Sequence, residues 1–146
     1  MRNIIYITPE QAEHTHLMTI EYSGGGTTEP LDFDRLKGVL CNIQNDEWYT
    51  TFIDKLTHLF FCTCQFHCFA DGNKRLAITL STLFLLLNGH LAVAETFLAK
   101  TENISLNVAA GKIDKDLLHR IMTAIMNETY DMDQELKLDI INAISK

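Results

Sequence analysis

The run Leu76-Ala77-Ile78-Thr79-Leu80-Ser81-Thr82-Leu83-Phe84-Leu85-Leu86-Leu87 constrains the fold more than any other stretch of the chain. Its apolar residues fall on nearly every side of a helix, so such a helix must be covered all round. It is shorter than the ~20 residues that span a bilayer, and Thr79, Ser81 and Thr82 interrupt it. Lys74-Arg75 precedes it and Asn88-Gly89 provides a C-terminal stop. The spacing predicts a central helix from Asn73 to Asn88-Gly89, buried by helices packed around it. Composition supplies the partners: with 146 residues, 47% apolar, only 2 Pro and 7 Gly, the chain suits one helical domain rather than a turn-rich β sandwich. A charged fraction of 21% excludes a disordered chain, and a net charge of −7 argues against a protein built to coat nucleic acid or an anionic membrane.

The rest of the chain reads as helices around that centre. Thr8-Pro9-Glu10-Gln11 is a capping box with proline at the first helical position, opening a helix that runs to about Tyr22. A second is expected from Asp32 or Phe33 to about Ile43, with Leu36, Val39, Leu40 and Ile43 as its apolar stripe. A third is expected from Glu47 through Phe66, with Trp48, Phe52, Leu56, Leu59, Phe60 and Thr63 facing the core. Beyond Gly89 the pattern predicts one helix from Ala94 to Ala110 closed by Gly111, one capped by Asp114 to about Asn127, and a short one capped by Asp133. No repeat or linker divides the chain: a single all-α domain of six or seven helices. Ser23-Gly24-Gly25-Gly26-Thr27-Thr28-Glu29-Pro30 cannot continue a helix, and reads either as a flexible connector or as a flap over a site. The N-terminus lacks the pattern of a signal peptide and three of the four cysteines cluster in an apolar stretch, so a reduced, cytoplasmic chain is expected.

Chemistry concentrates in Phe66-His67-Cys68-Phe69-Ala70-Asp71-Gly72-Asn73-Lys74-Arg75. A base, a carboxylate, a glycine turn, an amide and two cations fall between two helices. Gly72 lets backbone approach an anion, and amides at the start of the next helix point toward it with the dipole's positive end. Lys74 and Arg75 add full charges, Asp71 can hold Mg²⁺, and His67 can accept a hydroxyl proton. The chain has no Gly-x-x-x-x-Gly-Lys-Ser/Thr loop, so this is a phosphate site of another kind.

The segment His67 to Arg75 resembles the motif of the Fic/Doc (Fido) superfamily: His, any residue, Phe, any residue, Asp/Glu or Asn, a small residue, Asn, Gly or Lys, Arg. Similarity to its Doc (death-on-curing) branch extends, in order, over Thr8-Pro9-Glu10, Tyr22-Ser23-Gly24-Gly25, Phe84 to Gly89 and Val108 to Ile113. It divides the chain into a Fic/Doc domain over residues 1–130 and a C-terminal helical extension over 131–146. The resemblance implies an all-α bundle whose motif loop joins two central helices, with a short flap hairpin over Ser23, Gly24, Gly25, Gly26, Thr27 and Thr28 that aligns the target polypeptide. Three consecutive glycines depart from the family's usual flap. Carried over, His67 is the catalytic base and Asp71 the Mg²⁺ ligand; Gly72, Asn73, Lys74 and Arg75 bind nucleotide phosphate, and Phe69 anchors the loop. Most Fic enzymes have glycine where this chain has Lys74, and transfer AMP from ATP; Doc has lysine and transfers the γ-phosphate. The resemblance therefore implies a toxin of a toxin–antitoxin pair that phosphorylates a Ser or Thr of a protein, with elongation factor Tu as the target by analogy. AMP transfer, or a silent domain acting by partner binding, are the alternatives.

Other clusters read as structure. Cys62, Cys64, His67 and Cys68 lack the paired spacing of a zinc site and fit buried thiols better. His14 and His16 diverge around a helix, and His58, His90 and His119 stand alone in sequence, so none is given a role. The self-inhibiting Fic motif, Ser/Thr-x-x-x-Glu-Gly/Asn, is not matched, since Thr123 to Glu128 places its glutamate one residue late. Control by an antitoxin in trans is expected, and the extension could serve that partner or a homodimer. Nucleic acid and membrane are not expected partners.

Overall fold

Thr8 and Gln11 open the first helix by reciprocal bonds. Gln11 N donates to Thr8 Oγ1 at 3.1 Å and Thr8 N donates to Gln11 Oε1 at 2.9 Å. This computed structural model describes residues 3–22, 32–65 and 72–146. Its helices are α1 (Pro9–Tyr22), α2 (Phe33–Asn42), α3 (Phe52–Gln65), α4 (Asn73–Leu87), α5 (Leu91–Lys100), α6 (Glu102–Ala109), α7 (Lys115–Met126) and α8 (Gln134–Ile144), with a 3₁₀ turn at Tyr130–Met132. The described residues form no strand, and the protein is all-α.

The predicted central helix is α4, which touches α1, α3, α5 and α6. Leu76, Leu80, Phe84 and Leu85 lie fully buried along it. Each such side chain contributes roughly 1.5–3 kcal/mol by leaving water. Phe84 stacks on Phe52 with ring centroids 4.7 Å apart and on Tyr6 at 6.2 Å. At the far end of α4, Asn88 clamps the N-terminal segment: its amide accepts from Ile5 N at 2.8 Å and donates to Ile5 O at 2.9 Å.

Two expected boundaries are corrected. The third helix begins at Phe52 rather than Glu47. The Asn45 side chain accepts from Glu47 N and Trp48 N, which makes a turn. A capping box then starts the helix, Asp54 N donating to Thr51 Oγ1 and Thr51 N to Asp54 Oδ2. Trp48, expected in the core, is 70% exposed. The single helix expected from Ala94 to Ala110 is two, broken at Thr101. Thr101 is buried, it joins the two helices at φ −96° and ψ −4°, and its hydroxyl donates to Phe97 O at 2.7 Å. The described helices therefore number eight, against the six or seven expected.

The chain ends as its caps foretell. Asp114 accepts from Leu117 N and Asp133 from Leu136 N. α8 packs on α7 through Leu136 and an Arg120–Asp139 ion pair of 2.7 Å. Among the described residues, no helix is long and apolar enough to cross a membrane.

Candidate active site

α3 and α4 bracket the chemistry-bearing segment. Gln65, the last described residue of α3, donates its side-chain amide to Val108 O of α6 and ties this end of α3 to α6. His67, Phe69 and Asp71 lie outside the described residues, as do Ser23, Gly24, Gly25, Gly26, Thr27 and Thr28 of the expected flap hairpin. Gly72, Asn73, Lys74 and Arg75 are described and form the opening of α4.

Gly72 takes a left-handed conformation, φ +82° and ψ 12°, where a side chain is strained. A Cβ there would lie 2.9 Å from Ile20 Cδ1 and 3.7 Å from His16 Nε2 of α1. The turn is thus pressed against α1 with no space between. Gly72 O accepts from Leu76 N at 2.8 Å, making Gly72 the N-cap. Unlike Thr8, Asp114 and Asp133, it has no side chain to satisfy the leading amides of its helix.

Helical periodicity then sorts the next residues. Asn73, Leu76, Ala77 and Leu80 turn inward, while Lys74 and Arg75 are exposed. Neither cation pairs with a carboxylate among the described residues. Cations at a helix N-terminus oppose the dipole by roughly 0.3–1 kcal/mol each, a disadvantage that a bound anion reverses. The glycine turn and two outward cations suit a polyphosphate. Burial pushes the neighbouring Cys64 thiol up to about 12 despite the opposing charge of Lys74, so Cys64 is no nucleophile.

Beside this turn, a groove of about 440 Å³ runs between His14, Thr15 and Met18 of α1 and Arg75, Ile78 and Thr79 of α4. The Thr19 and Thr79 hydroxyls, 3.2 Å apart, tie the two helices together along it. Arg75 gives the groove a cationic end, and Met18 and Ile78 give it apolar walls. The sequence does not advertise this groove, because its two walls are far apart along the chain.

A second polar cluster lies between α3 and α7. Lys115 Nζ donates to His58 Nδ1 at 2.7 Å, and His58 Nε2 lies 3.1 Å from the Tyr49 hydroxyl. With Lys115 on Nδ1, the ring proton is assigned to Nε2 and donated to Tyr49. Burial, and then the charge of Lys115, push His58 down to about 4. His119 Nε2 lies 2.8 Å from Asp54 Oδ1. Burial acts to raise the Asp54 pKa, but its bonds from Thr51 and His119 outweigh that and lower it. The histidines that look isolated in sequence are therefore engaged: His58 and His119 here, and His90 against the Phe52 ring at 5.2 Å.

The model of the Fic/DOC family matches residues 6–85, more than half of the chain. This protein belongs to the Fic/Doc family. The match takes in α1, α2, α3, the segment that joins α3 to α4, and all but the end of α4. Every candidate site residue from Ser23 to Arg75 falls inside it. Fic/Doc proteins generally modify other proteins by transfer from a nucleotide, or act by binding a partner. The chain has no match among curated proteins or solved structures. α5 to α8 of this Fic/Doc protein lie beyond the matched residues, and α5 and α6 complete the cover of α4.

Proposed function

We propose that this Fic/Doc protein transfers the γ-phosphate of ATP to a Ser or Thr hydroxyl of a protein target. The observation that carries the reading is the opening of α4, where Lys74 and Arg75 face outward at a glycine turn with no described carboxylate to neutralise them. In this scheme His67 takes the proton from the target hydroxyl, the oxygen bonds to the γ-phosphorus, and the bond to the leaving ADP oxygen breaks. Lys74, Arg75 and the amides at Gly72 and Asn73 stabilise the charge on the transferred group. Asp71 would hold Mg²⁺, which supplies charge neutralisation along the polyphosphate. Phe69 anchors the loop, and the flap residues Ser23 to Thr28 align the target.

Lys74 favours phosphate over AMP transfer, since its side chain fills space that glycine leaves open and moves the best-stabilised position of the polyphosphate. By resemblance to Doc, the target is elongation factor Tu and the chain is the toxin of a toxin–antitoxin pair. Control in trans agrees with the placement of Glu128, which lies beyond the end of α7 with φ 58° rather than on a helix.

The test is transfer to purified elongation factor Tu, and to a bacterial lysate, from ATP labelled at the γ- or the α-phosphate. Label from γ alone, lowered roughly 10²–10⁴-fold by His67→Ala with an unchanged melting temperature, is the expected result. Label from α makes the protein an AMP transferase. Absence of both, with no ATP binding, leaves a domain that acts by partner binding and overturns the enzyme reading.

A further inference from the structure

A cavity of about 240 Å³ opens where the Asn45 turn, the start of α3 and the start of α7 meet. It lies at the opposite end of α3 from the chemistry-bearing segment, roughly 16 Å of helix separating Asp54 from Gln65. Trp48, Tyr49, Asp54, Lys115, Asp116 and His119 line it. The last three belong to α7, beyond the residues that the family model matches. Asp54 is satisfied by its neighbours: its Oδ1 lies 2.8 Å from His119 Nε2, and its Oδ2 accepts from Thr51 N at 3.1 Å. Lys115 is held without being neutralised. Its Nζ donates to His58 Nδ1 at 2.7 Å and lies 5.5 Å from the centre of the Tyr49 ring. Both partners are uncharged at neutral pH, since burial and Lys115 itself push His58 down to about 4. An ammonium carries three protons, so this bond leaves two Lys115 donors unused. The Asp116 carboxylate makes no hydrogen bond or ion pair among the described residues. The cavity thus carries one unanswered charge of each sign.

That pairing of charges disfavours a simple ion. Phosphate would meet the carboxylates of Asp54 and Asp116, and a lone cation would meet Lys115. A small molecule with both charges finds an opposite charge for each. Trp48 sets the rest of the ligand. Its side chain is 70% exposed, yet its backbone is fixed: Glu47 N and Trp48 N donate to the Asn45 side chain, and Tyr49 N to Asn45 O at 2.9 Å. An indole on a fixed turn offers a stacking face at small entropic cost. The volume falls below the roughly 300–1,000 Å³ of pockets for drug-sized ligands, so the occupant is small. We propose that this cavity binds a free aromatic amino acid, its carboxylate on Lys115, its ammonium on Asp116 and its ring on Trp48. The site stands apart from the phosphate turn and does not depend on the reaction proposed there.

The test titrates the full chain with L-phenylalanine and follows the Trp48 indole N–H and the Lys115 and Asp116 amides by NMR. Trp48 is the only tryptophan, so its indole resonance is unambiguous. Saturable shifts of all three are expected, with a dissociation constant in the roughly millimolar range for so small a ligand. N-acetyl-L-phenylalanine lacks the ammonium and L-phenylalanine amide lacks the carboxylate; each should bind roughly tenfold more weakly or worse. Asp116→Asn and Lys115→Gln should each weaken phenylalanine by roughly the same factor. Trp48→Ala, read on the two amides, should weaken it roughly three- to tenfold through the lost ring contact. Asp116 is exposed, so if Lys115→Gln fails to fold, Asp116→Asn and the two blocked ligands still decide. Absence of a saturable shift overturns the proposal. Blocked ligands that bind as well as phenylalanine overturn it too, as does inorganic phosphate that gives the same shifts at the same concentration.

Discussion

The first half of α3 and the opening of α4 are similarly rich in charge and use it in opposite ways. Asp54, Lys55 and His58 on α3 are each engaged by groups of the same protein. Lys55 is fully buried, and its Nζ donates to Ile43 O at 2.6 Å and to Asp46 Oδ1 at 2.8 Å. It thereby satisfies the C-terminal end of α2, and although burial acts to lower its pKa, the Asp46 bond and the Tyr6 hydroxyl raise it on balance. Lys74 and Arg75 on α4 have no such neighbours among the described residues and face outward from a helix terminus that disfavours them. Charge answered within the fold holds helices together. Charge at a helix start with no described partner is open to an anion from outside.

The contrast predicts which changes damage activity and which damage stability. Arg75→Ala should have the largest effect, lowering phosphate or AMP transfer roughly 10³-fold, with a melting temperature within about 2 °C of the parent, as expected for an exposed site. A large loss of stability would mean that Arg75 belongs with the internally answered charges. Lys55→Met should do the reverse, removing about 2–3 kcal/mol of stability in denaturant melts by orphaning the Ile43 carbonyl, while ATP binding by the folded fraction persists.

His58 sharpens the comparison through pH. Its folded pKa is about 4 against an ordinary 6.5, so the unfolded chain binds a proton first as pH falls. Its contribution is complete above pH 6.5, declines as pH drops toward 4 and levels off below. The decline should amount to about 2 kcal/mol after allowance for solvent screening. Urea melts across that range should therefore be flatter for His58→Gln than for the parent, and parallel slopes would show that His58 does not sense the acid change. The smallest effect belongs to the partly exposed Asp54–His119 pair: His119→Ala should shift stability by no more than about 0.5 kcal/mol at neutral pH. A larger loss would place that pair with Lys55 as a tertiary tie.

Legibility in the sequence followed the range of the interaction. The capping box of Thr8 and Gln11, the aspartate caps of α7 and α8 and the stop at Asn88-Gly89 involve near neighbours and can be read from spacing. The central burial of α4 follows from its composition alone. The start of α3 was misplaced because Trp48 looks like a core residue, whereas the Asn45 turn keeps it outside. The break at Thr101 was missed because a lone threonine inside an apolar pattern carries no stop signal. At the site, Lys74 and Arg75 were legible as exposed cations on a helix start. The closeness of His16 and Ile20 to Gly72 was not, since it depends on how α1 crosses α4 and leaves no trace in local spacing.

The bend at Thr101 has a mechanical side. A continuous helix over the expected stretch from Ala94 to Ala110 would be a rod of roughly 25 Å, able to lean on α4 along one line. Folded at Thr101, the same stretch becomes a bracket: α5 and α6 both bear on α4, and α6 also reaches α3. The carbonyl that receives Gln65 sits on that second arm, at Val108. The last described turn of α3 is thus braced by a corner much later in the chain. Straightening that corner should loosen this end of α3 at a distance, as a wall shifts when its buttress is removed.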